Sequence, residues 1–225
     1  MKIYLDAGTT WSKIISSHKI EELDKYFIKN MKDYFYYILP SSELKNYNLI
    51  FEKTTGHMSC SDGEKPENEI ISLVKGVKDK IDDDAIVLDL GSRDAKWIRL
   101  KAGKFFDLDW NTSCAAATGA TVEMLLKFYD LKAEELEFNE EKYPITCGIF
   151  GLEKIMDDIS KGFDKKIAVS KFIHGIAFNA WKFAKNPKKI YLSGGFCENK
   201  CFVDALSKYC EVVLLGRFVL VEGLI

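Results

Sequence analysis

Two aspartates stand 83 residues apart in this chain of 225, each ending a short apolar run and each followed by a glycine turn and a lysine. Asp6 lies in Ile3 to Ile15, IYLDAGTTWSKII, and Asp89 in Ile86 to Ile98, IVLDLGSRDAKWI. At that constant offset Ile3/Ile86, Leu5/Leu88, Asp6/Asp89, Gly8/Gly91, Lys13/Lys96 and Ile15/Ile98 are identical, six of thirteen positions, which favours a duplicated unit over two unrelated hairpins. An Asp at a strand end can orient water around a magnesium ion, and a turn of Gly with Ser or Thr lets backbone N–H groups approach phosphate oxygens. Asp6 and Asp89 are therefore the candidate catalytic residues. Gly8, Thr9, Thr10 and Lys13 in the first copy, and Gly91, Ser92 and Arg93 in the second, are the candidate phosphate contacts.

A third segment, IYLSGGFCEN from Ile190 to Asn199, is again a strand run, closed by Gly194-Gly195 and followed by a helical pattern with Phe202, Leu206 and Tyr209 on one face. A double glycine there lets a flat base lie on the backbone, so Gly194, Gly195 and Asn199 are candidate adenosine contacts. Two phosphate hairpins and a glycine-pair loop in this order resemble the actin, hexokinase and Hsp70 (ribonuclease H-like) ATPase fold. That resemblance implies an α/β protein of two lobes, 1–83 and 84–225, with ATP and Mg2+ in the cleft and Asp6 and Asp89 organising the metal.

The elements needed to position these residues are legible in outline. In the first lobe an aromatic-rich stretch from Tyr26 to Ile38, a strand-like Asn48 to Phe51, Thr54-Thr55-Gly56, a polar loop with Asp62, Gly63 and Pro66, and a helix pattern through Ile70, Ile71, Val74 and Val77 follow the first hairpin. Asp82-Asp83-Asp84 marks the hinge. The second lobe supplies its hairpin, a third strand with Phe105 and Phe106, two helices and the adenosine loop. Hydrophobic content of 47% with 29% charged residues is that of an ordinary globular protein. A net charge of −2 argues against nucleic acid as a partner, and the lysines at 161, 165, 166, 185, 188 and 189 read as solvated helix ends and loops. No apolar run reaches the roughly 18 residues of a membrane span, and Asp6 interrupts the first apolar stretch, unlike a signal peptide. A cytoplasmic location is expected.

The six cysteines are then expected to be reduced. Cys114, in NTSCAAATGA, precedes Val122, Leu125, Leu126 and Tyr129 at helical spacing; Cys147, in PITCGIFGLEKIMDDISKG, precedes Leu152, Ile155, Met156 and Ile159. Each thus stands near a helix N-terminus, where the macrodipole favours a thiolate and an anionic thiolate-ligated iron–sulfur cluster. On spacing alone both are as readily small buried residues, because 33 residues separate them and there is no C-x-x-C. Cys197 and Cys201 are four apart and could hold metal, but helix packing is the simpler role; Cys60 lies near His57, and Cys210 reads as core.

NTSCAAATGA is similar to the Asn-Asp-Lys-Cys-Ala-Ala-Gly-Thr-Gly motif of the ATPase activators of 2-hydroxyacyl-CoA dehydratases and of the related ATP-binding subunits of benzoyl-CoA reductase. TCGIFGLEKIMDDISKG is similar to their second cysteine motif, and the likeness continues through LDLGSRDAKWI, Thr55-Gly56, Glu69 to Gly76 and LSGGFCEN. The resemblance implies a homodimer holding one 4Fe-4S cluster on its twofold axis, with Cys114 and Cys147 of each chain as ligands. It also implies an electron donor such as ferredoxin or flavodoxin and a partner iron–sulfur dehydratase or reductase. The expected function is ATP-driven delivery of a low-potential electron to that partner; the alternative is a cluster-free sugar or acyl kinase of the same fold. Several positions depart from the family. Ser92 and Arg93 replace a Gly-Gln pair, Ala117 replaces Gly, Ala120 replaces Arg, and the small-residue C-terminal helix that packs back on the first lobe is expected to be missing.

Overall fold

The computed structural model of the chain describes residues 1–58, 66–111, 118–145 and 148–225. Two compact units are present, Met1–Asp82 joined by Arg217–Ile225, and Asp83–Gly216.

The first unit is built on a five-stranded sheet. β1 (Ile3–Ala7), β2 (Trp11–Ser16), β3 (Phe27–Met31), β4 (Tyr34–Pro40) and β5 (Lys53–Thr55) lie in the order β3-β4-β2-β1-β5, antiparallel except for the β1–β5 pair. The aromatic-rich stretch is thus a hairpin, with β3 an exposed edge strand. The interior strand β1 is buried along its whole length, which requires cover on both faces. On one face Ile3, Leu5, Ala7 and Ile14 pack with Ile20, Leu23, Tyr37 and Leu39. On the other, Tyr4, Ile15, Tyr36 and Ile38 pack with Phe218, Val221 and Leu224.

Those last three residues belong to a short helix region that the sequence reading did not anticipate. Helix α1 (Glu69–Val77), capped by Asn68 accepting from Ile70 N–H, buries Ile70, Leu73 and Val77 while Ile71 faces out. The chain returns to it at the C-terminal end as α6 (Val219–Glu222). The two helices cross so closely that a Cβ on Gly76 would collide with the Val219 carbonyl, and one on Gly223 with the Ser72 carbonyl. Lys53 Nζ donates to Leu224 O at 2.9 Å, fixing the same segment.

The second unit carries β6 (Ala85–Leu90), β7 (Ala95–Lys101), β8 (Lys104–Asn111), β9 (Lys189–Gly194) and β10 (Glu211–Gly216) in the order β10-β9-β6-β7-β8. β6 pairs antiparallel with β7 and parallel with β9, as β1 does with β2 and β5. The duplication therefore extends beyond the hairpin to the neighbouring parallel strand. Phe105 and Phe106 lie exposed on the edge strand β8.

Four helices complete this unit: α2 (Gly119–Phe128), α3 (Gly148–Ser160), α4 (Lys165–Phe183) and α5 (Lys200–Ser207). Their core unites Leu88, Leu90 and Trp97 with Val122, Leu125, Ile155, Phe172, Ile176 and Phe202. Two helices were expected between the third strand and the adenosine loop; α4 is the addition. It buries Ala168, Val169, Ser170, Phe172, Ile173, His174, Gly175, Ile176, Ala177 and Ala180, several consecutive and so on every side. A helix buried nearly all round shows no single apolar stripe, which hid it from a reading based on periodicity.

Ala outranks Gly in helix propensity by about 1 kcal/mol, so Gly76→Ala would stabilise an ordinary exposed helix. Here the collision with Val219 should reverse the sign, with a loss of about 1–3 kcal/mol from overpacking. Denaturant unfolding of the variant measures it.

Candidate functional site

The repeated Asp and Lys are cross-strand partners. Asp6 faces Lys13 in the β1–β2 register and Asp89 faces Lys96 in the β6–β7 register. In the first hairpin Lys13 Nζ donates to Asp6 Oδ2 at 2.9 Å. In the second, Lys96 Nζ lies 3.4 Å from Asp89 Oδ2 and 3.3 Å from Asp94 Oδ2. Asp6, Asp89 and Lys96 are 2%, 3% and 1% exposed, so these charges are removed from water and depend on one another.

The parallel neighbour strand places a hydroxyl residue opposite each aspartate, but only the second one bonds it. Ser193 pairs with Asp89 in the β6–β9 register and its hydroxyl donates to Asp89 Oδ1 at 2.6 Å. Thr55 pairs with Asp6 in the β1–β5 register, its hydroxyl donating to Glu67 O at 2.9 Å. Each of these hydroxyl residues is followed by a left-handed glycine, Gly56 at φ +98° and Gly194 at φ +94°. A Cβ on Gly56 would stand 2.7 Å from Asp6 Oδ1, and one on Gly194 would strike the Leu90 carbonyl. Gly194 is thus required by the fold itself. Gly195 is different: it is exposed, and among the described residues no heavy atom beyond its chain neighbours lies within 4 Å of where its Cβ would be, so the packing does not require glycine there.

The two turns have their carbonyls drawn inward. In the first, Ser41 Oγ donates to Gly8 O at 2.6 Å and Ser41 N–H to Thr10 O at 2.9 Å. In the second, Gly119 N–H donates to Gly91 O at 3.2 Å and Ala120 N–H to Ser92 O at 3.0 Å. This suits an anion-binding turn, whose N–H groups must point away from the protein. The turns differ in charge. The Lys13 ammonium lies 3.3 Å from the Cβ position of Gly8, whereas Asp94 Oδ1 lies 2.9 Å from that of Gly91. Asp94 is further held by the indole N–H of Trp110, at 2.5 Å. The first turn thus presents a cation and the second a carboxylate above a buried lysine. Asp94, Lys96, Trp110 and Ser193 were not singled out from the sequence; the recurrence of Lys at the shared offset was the available signal.

Asn199 caps α5, its Oδ1 accepting from Phe202 N–H at 2.9 Å, so its Nδ2 is the group that a ligand could use. Tyr209 lies beyond the end of α5 and contacts His174.

Cys114, Cys147, Cys60 and Ala117 lie outside the described residues. The elements beside them are described. The segment leading to Cys147 is laced to α4: His174 Nδ1 contacts Asn139 O at 2.8 Å and Glu141 O at 3.1 Å, Asn179 Nδ2 donates to Ile145 O at 2.7 Å, and Gly175 leaves room for the Tyr143 carbonyl. Two carbonyls on Nδ1 make it the protonated nitrogen, and Nε2 then accepts from Tyr209 Oη at 2.7 Å. Burial holds the imidazole below its ordinary value of 6.5. α3 follows Cys147 directly and abuts α4 at Gly151, where a Cβ would stand 2.6 Å from Phe172. Within α3, Ile155 is buried and Met156 exposed.

The other cysteines do not suit a metal. The Cys197 thiol contacts Leu192 O at 3.2 Å and the Cys201 thiol contacts Glu137 O at 3.4 Å, each as donor. Burial pushes Cys197 up to about 12 and Cys201 and Cys210 up to about 11, away from the thiolate that ligation needs. Among the described residues no group of three or more His, Cys, Asp or Glu could hold a metal ion. Asp6 and Asp89 offer the oxygen chemistry that magnesium takes, which commonly uses one or two carboxylates with water and phosphate completing the shell.

No protein-family model matches the chain. Among characterised proteins it is 28% identical to the activator of lactoyl-CoA dehydratase of Anaerotignum propionicum, over 74% of this chain and 69% of that one. It is 24% identical to the 2-hydroxyisocaproyl-CoA dehydratase activator of Clostridioides difficile, over 68% and 61%. The chain is a homologue of the 2-hydroxyacyl-CoA dehydratase activators. The solved structure of the activator of 2-hydroxyisocaproyl-CoA dehydratase from Clostridium difficile with bound ADPNP superposes with a TM-score of 0.75 at 20% identity, covering 99% of this chain and 91% of that one. The fold of this activator homologue is the actin-like ATPase fold. Its aligned segment spans about two thirds of the lactoyl-CoA relative and less of the 2-hydroxyisocaproyl-CoA relative. No helix among the described residues is long and apolar enough to cross a membrane.

Removing Lys96 would strand two carboxylates. Lys96→Met should cost about 3–5 kcal/mol in denaturant unfolding, against about 1.5–3 kcal/mol for Ser193→Ala, which removes one donor to a buried carboxylate. The double variant should lose less than the sum, because the two share Asp89.

His174 makes a separate prediction. Its folded value is depressed, so its stabilisation is complete above 6.5 and is lost as the pH falls toward the lowered value. Thermal unfolding between pH 8 and pH 5 should show a decline in the wild type that is shallower in His174→Phe.

Proposed function

We propose that the chain is an ATP-dependent activator that couples nucleotide binding and hydrolysis to delivery of a low-potential electron to a partner iron–sulfur enzyme such as a 2-hydroxyacyl-CoA dehydratase. The observation that carries this reading is the duplicated hairpin with its buried Asp–Lys pair and inward-turned carbonyls, in a homologue of dehydratase activators. Gly8, Thr9, Thr10 and Lys13, with Gly91, Ser92 and Arg93, take the phosphates of ATP. Asp6 and Asp89 would be the carboxylates that hold magnesium. Gly194, Gly195 and Asn199 take the adenosine, the open space at Gly195 favouring a flat group laid on the backbone.

Magnesium would supply charge neutralisation for the phosphates. The protein's part is to orient Asp89, with Ser193 fixing one oxygen and Lys96 the other. A 4Fe-4S cluster bound by Cys114 and Cys147 of two chains in a homodimer would supply the single low-potential electron. Two cysteines per chain and four per cluster is an arithmetic that a twofold axis satisfies. The start of α3 directly after Cys147 supports the helix-terminus reading of that cysteine. The electron donor is of the ferredoxin or flavodoxin class, and the protein works in the cytoplasm.

Anaerobically prepared protein should contain about four irons per dimer. Cys114→Ser and Cys147→Ser should each lose the iron while calorimetric ATP binding survives, and Gly195→Val should weaken ATP binding while the iron remains. A colourless protein that transfers phosphate to a sugar or acyl acceptor would instead be a kinase.

A further inference from the structure

Helix α2 is anchored outside itself. Thr118 occupies its N-cap position, where a threonine hydroxyl ordinarily accepts from an N–H of the first helical turn. It makes no such cap, and its hydroxyl donates to the carbonyl of Ser92 in the second hairpin turn. The N–H groups of Gly119 and Ala120, donors that no helical carbonyl can satisfy, end on Gly91 O and Ser92 O. Three hydrogen bonds from the start of α2 therefore converge on two consecutive carbonyls of one turn. Thr118 is buried, and a Cβ on Gly119 would stand only 3.1 Å from Gly91 O.

The peptide units concerned are shared. The Gly91 carbonyl and the Ser92 N–H belong to one amide plane, and the Ser92 carbonyl and the Arg93 N–H to the next. An anion accepting from the Ser92 and Arg93 N–H groups polarises the same two amides and strengthens the bonds their carbonyls accept from α2. We infer that Thr118 is a positioning residue that links the second phosphate turn to α2, so that an anion on the turn tightens the helix's first turn. The inference rests on the nucleotide reading above and adds a route within the second unit, from the turn to the helix that follows the Cys114 segment.

Hydrogen exchange of the peptide Gly119–Phe128, with and without the magnesium complex of the imido analogue of ATP, tests the link. Nucleotide should slow exchange in the first turn of α2 by about threefold, the size expected when three hydrogen bonds strengthen by a few tens of per cent. Thr118→Val keeps the shape and removes the hydroxyl; it should bind the analogue yet lose most of the response, and Thr118→Ser should restore it. A response in Thr118→Val equal to that of the wild type, or none in wild type with analogue bound, overturns the link. Calorimetry on the same samples separates failures: a wild type that binds no analogue refutes the nucleotide reading and the link with it. Should Thr118→Val not fold, Gly119→Ala, which presses on the same carbonyl, is read by the same criterion, and an unchanged response there overturns the link equally.

Discussion

A buried carboxylate beside a lysine on the facing strand is the constraint from which the rest of the structure follows. Neither charge is stable in the interior alone, and the β-hairpin is what places them opposite one another at positions 6 and 13, and again at 89 and 96. The hairpin must then be held at the centre of a sheet covered on both faces. That requirement accounts for the wholly buried β1 and β6 and for the return of the chain at Phe218, Val221 and Leu224 to cover the first sheet. It also accounts for the left-handed glycines at 56 and 194, since any side chain there would strike the strand that carries the aspartate.

The duplicated hairpins have diverged in charge while keeping their geometry. Lys13, partly exposed, lies over the turn it belongs to, whereas Lys96 is sealed between Asp89 and Asp94 beneath the indole of Trp110. Taken each by itself, a turn that offers an ammonium suits an anion, and a turn that offers a carboxylate above a buried lysine suits a divalent cation. Ser92 and Arg93, where the family resemblance leads one to expect Gly-Gln, leave this scaffold intact: the Ser92 carbonyl is engaged by α2 and Arg93 stands exposed at the turn.

Much of this was legible in the sequence because the repeat made it so. The hairpins, the Gly194 turn and the helices after the two cysteine motifs are carried by short-range patterns. What the sequence hid was of two kinds. α4 has apolar residues on every side and so no stripe, although it organises the core of the second unit and fixes the segment before Cys147 through His174, Gly175 and Asn179. The partners of the aspartates come from distant strands: Ser193 lies 104 residues from Asp89 and acts through parallel register, which no local pattern encodes. The α1–α6 crossing is hidden in the same way, since Gly76 and Gly223 have meaning only against each other's helix.

We propose that the Asp–Lys hairpins serve a magnesium-bound nucleotide. Titration calorimetry of ATP, with magnesium and with a chelator, on the wild type and on Lys13→Met tests it most directly. One nucleotide per chain is expected, with affinity reduced about tenfold or more both by removal of magnesium and by loss of the Lys13 ammonium, a factor equivalent to about 1.4 kcal/mol. Equal affinities in all four titrations, or no binding heat at all, would contradict it.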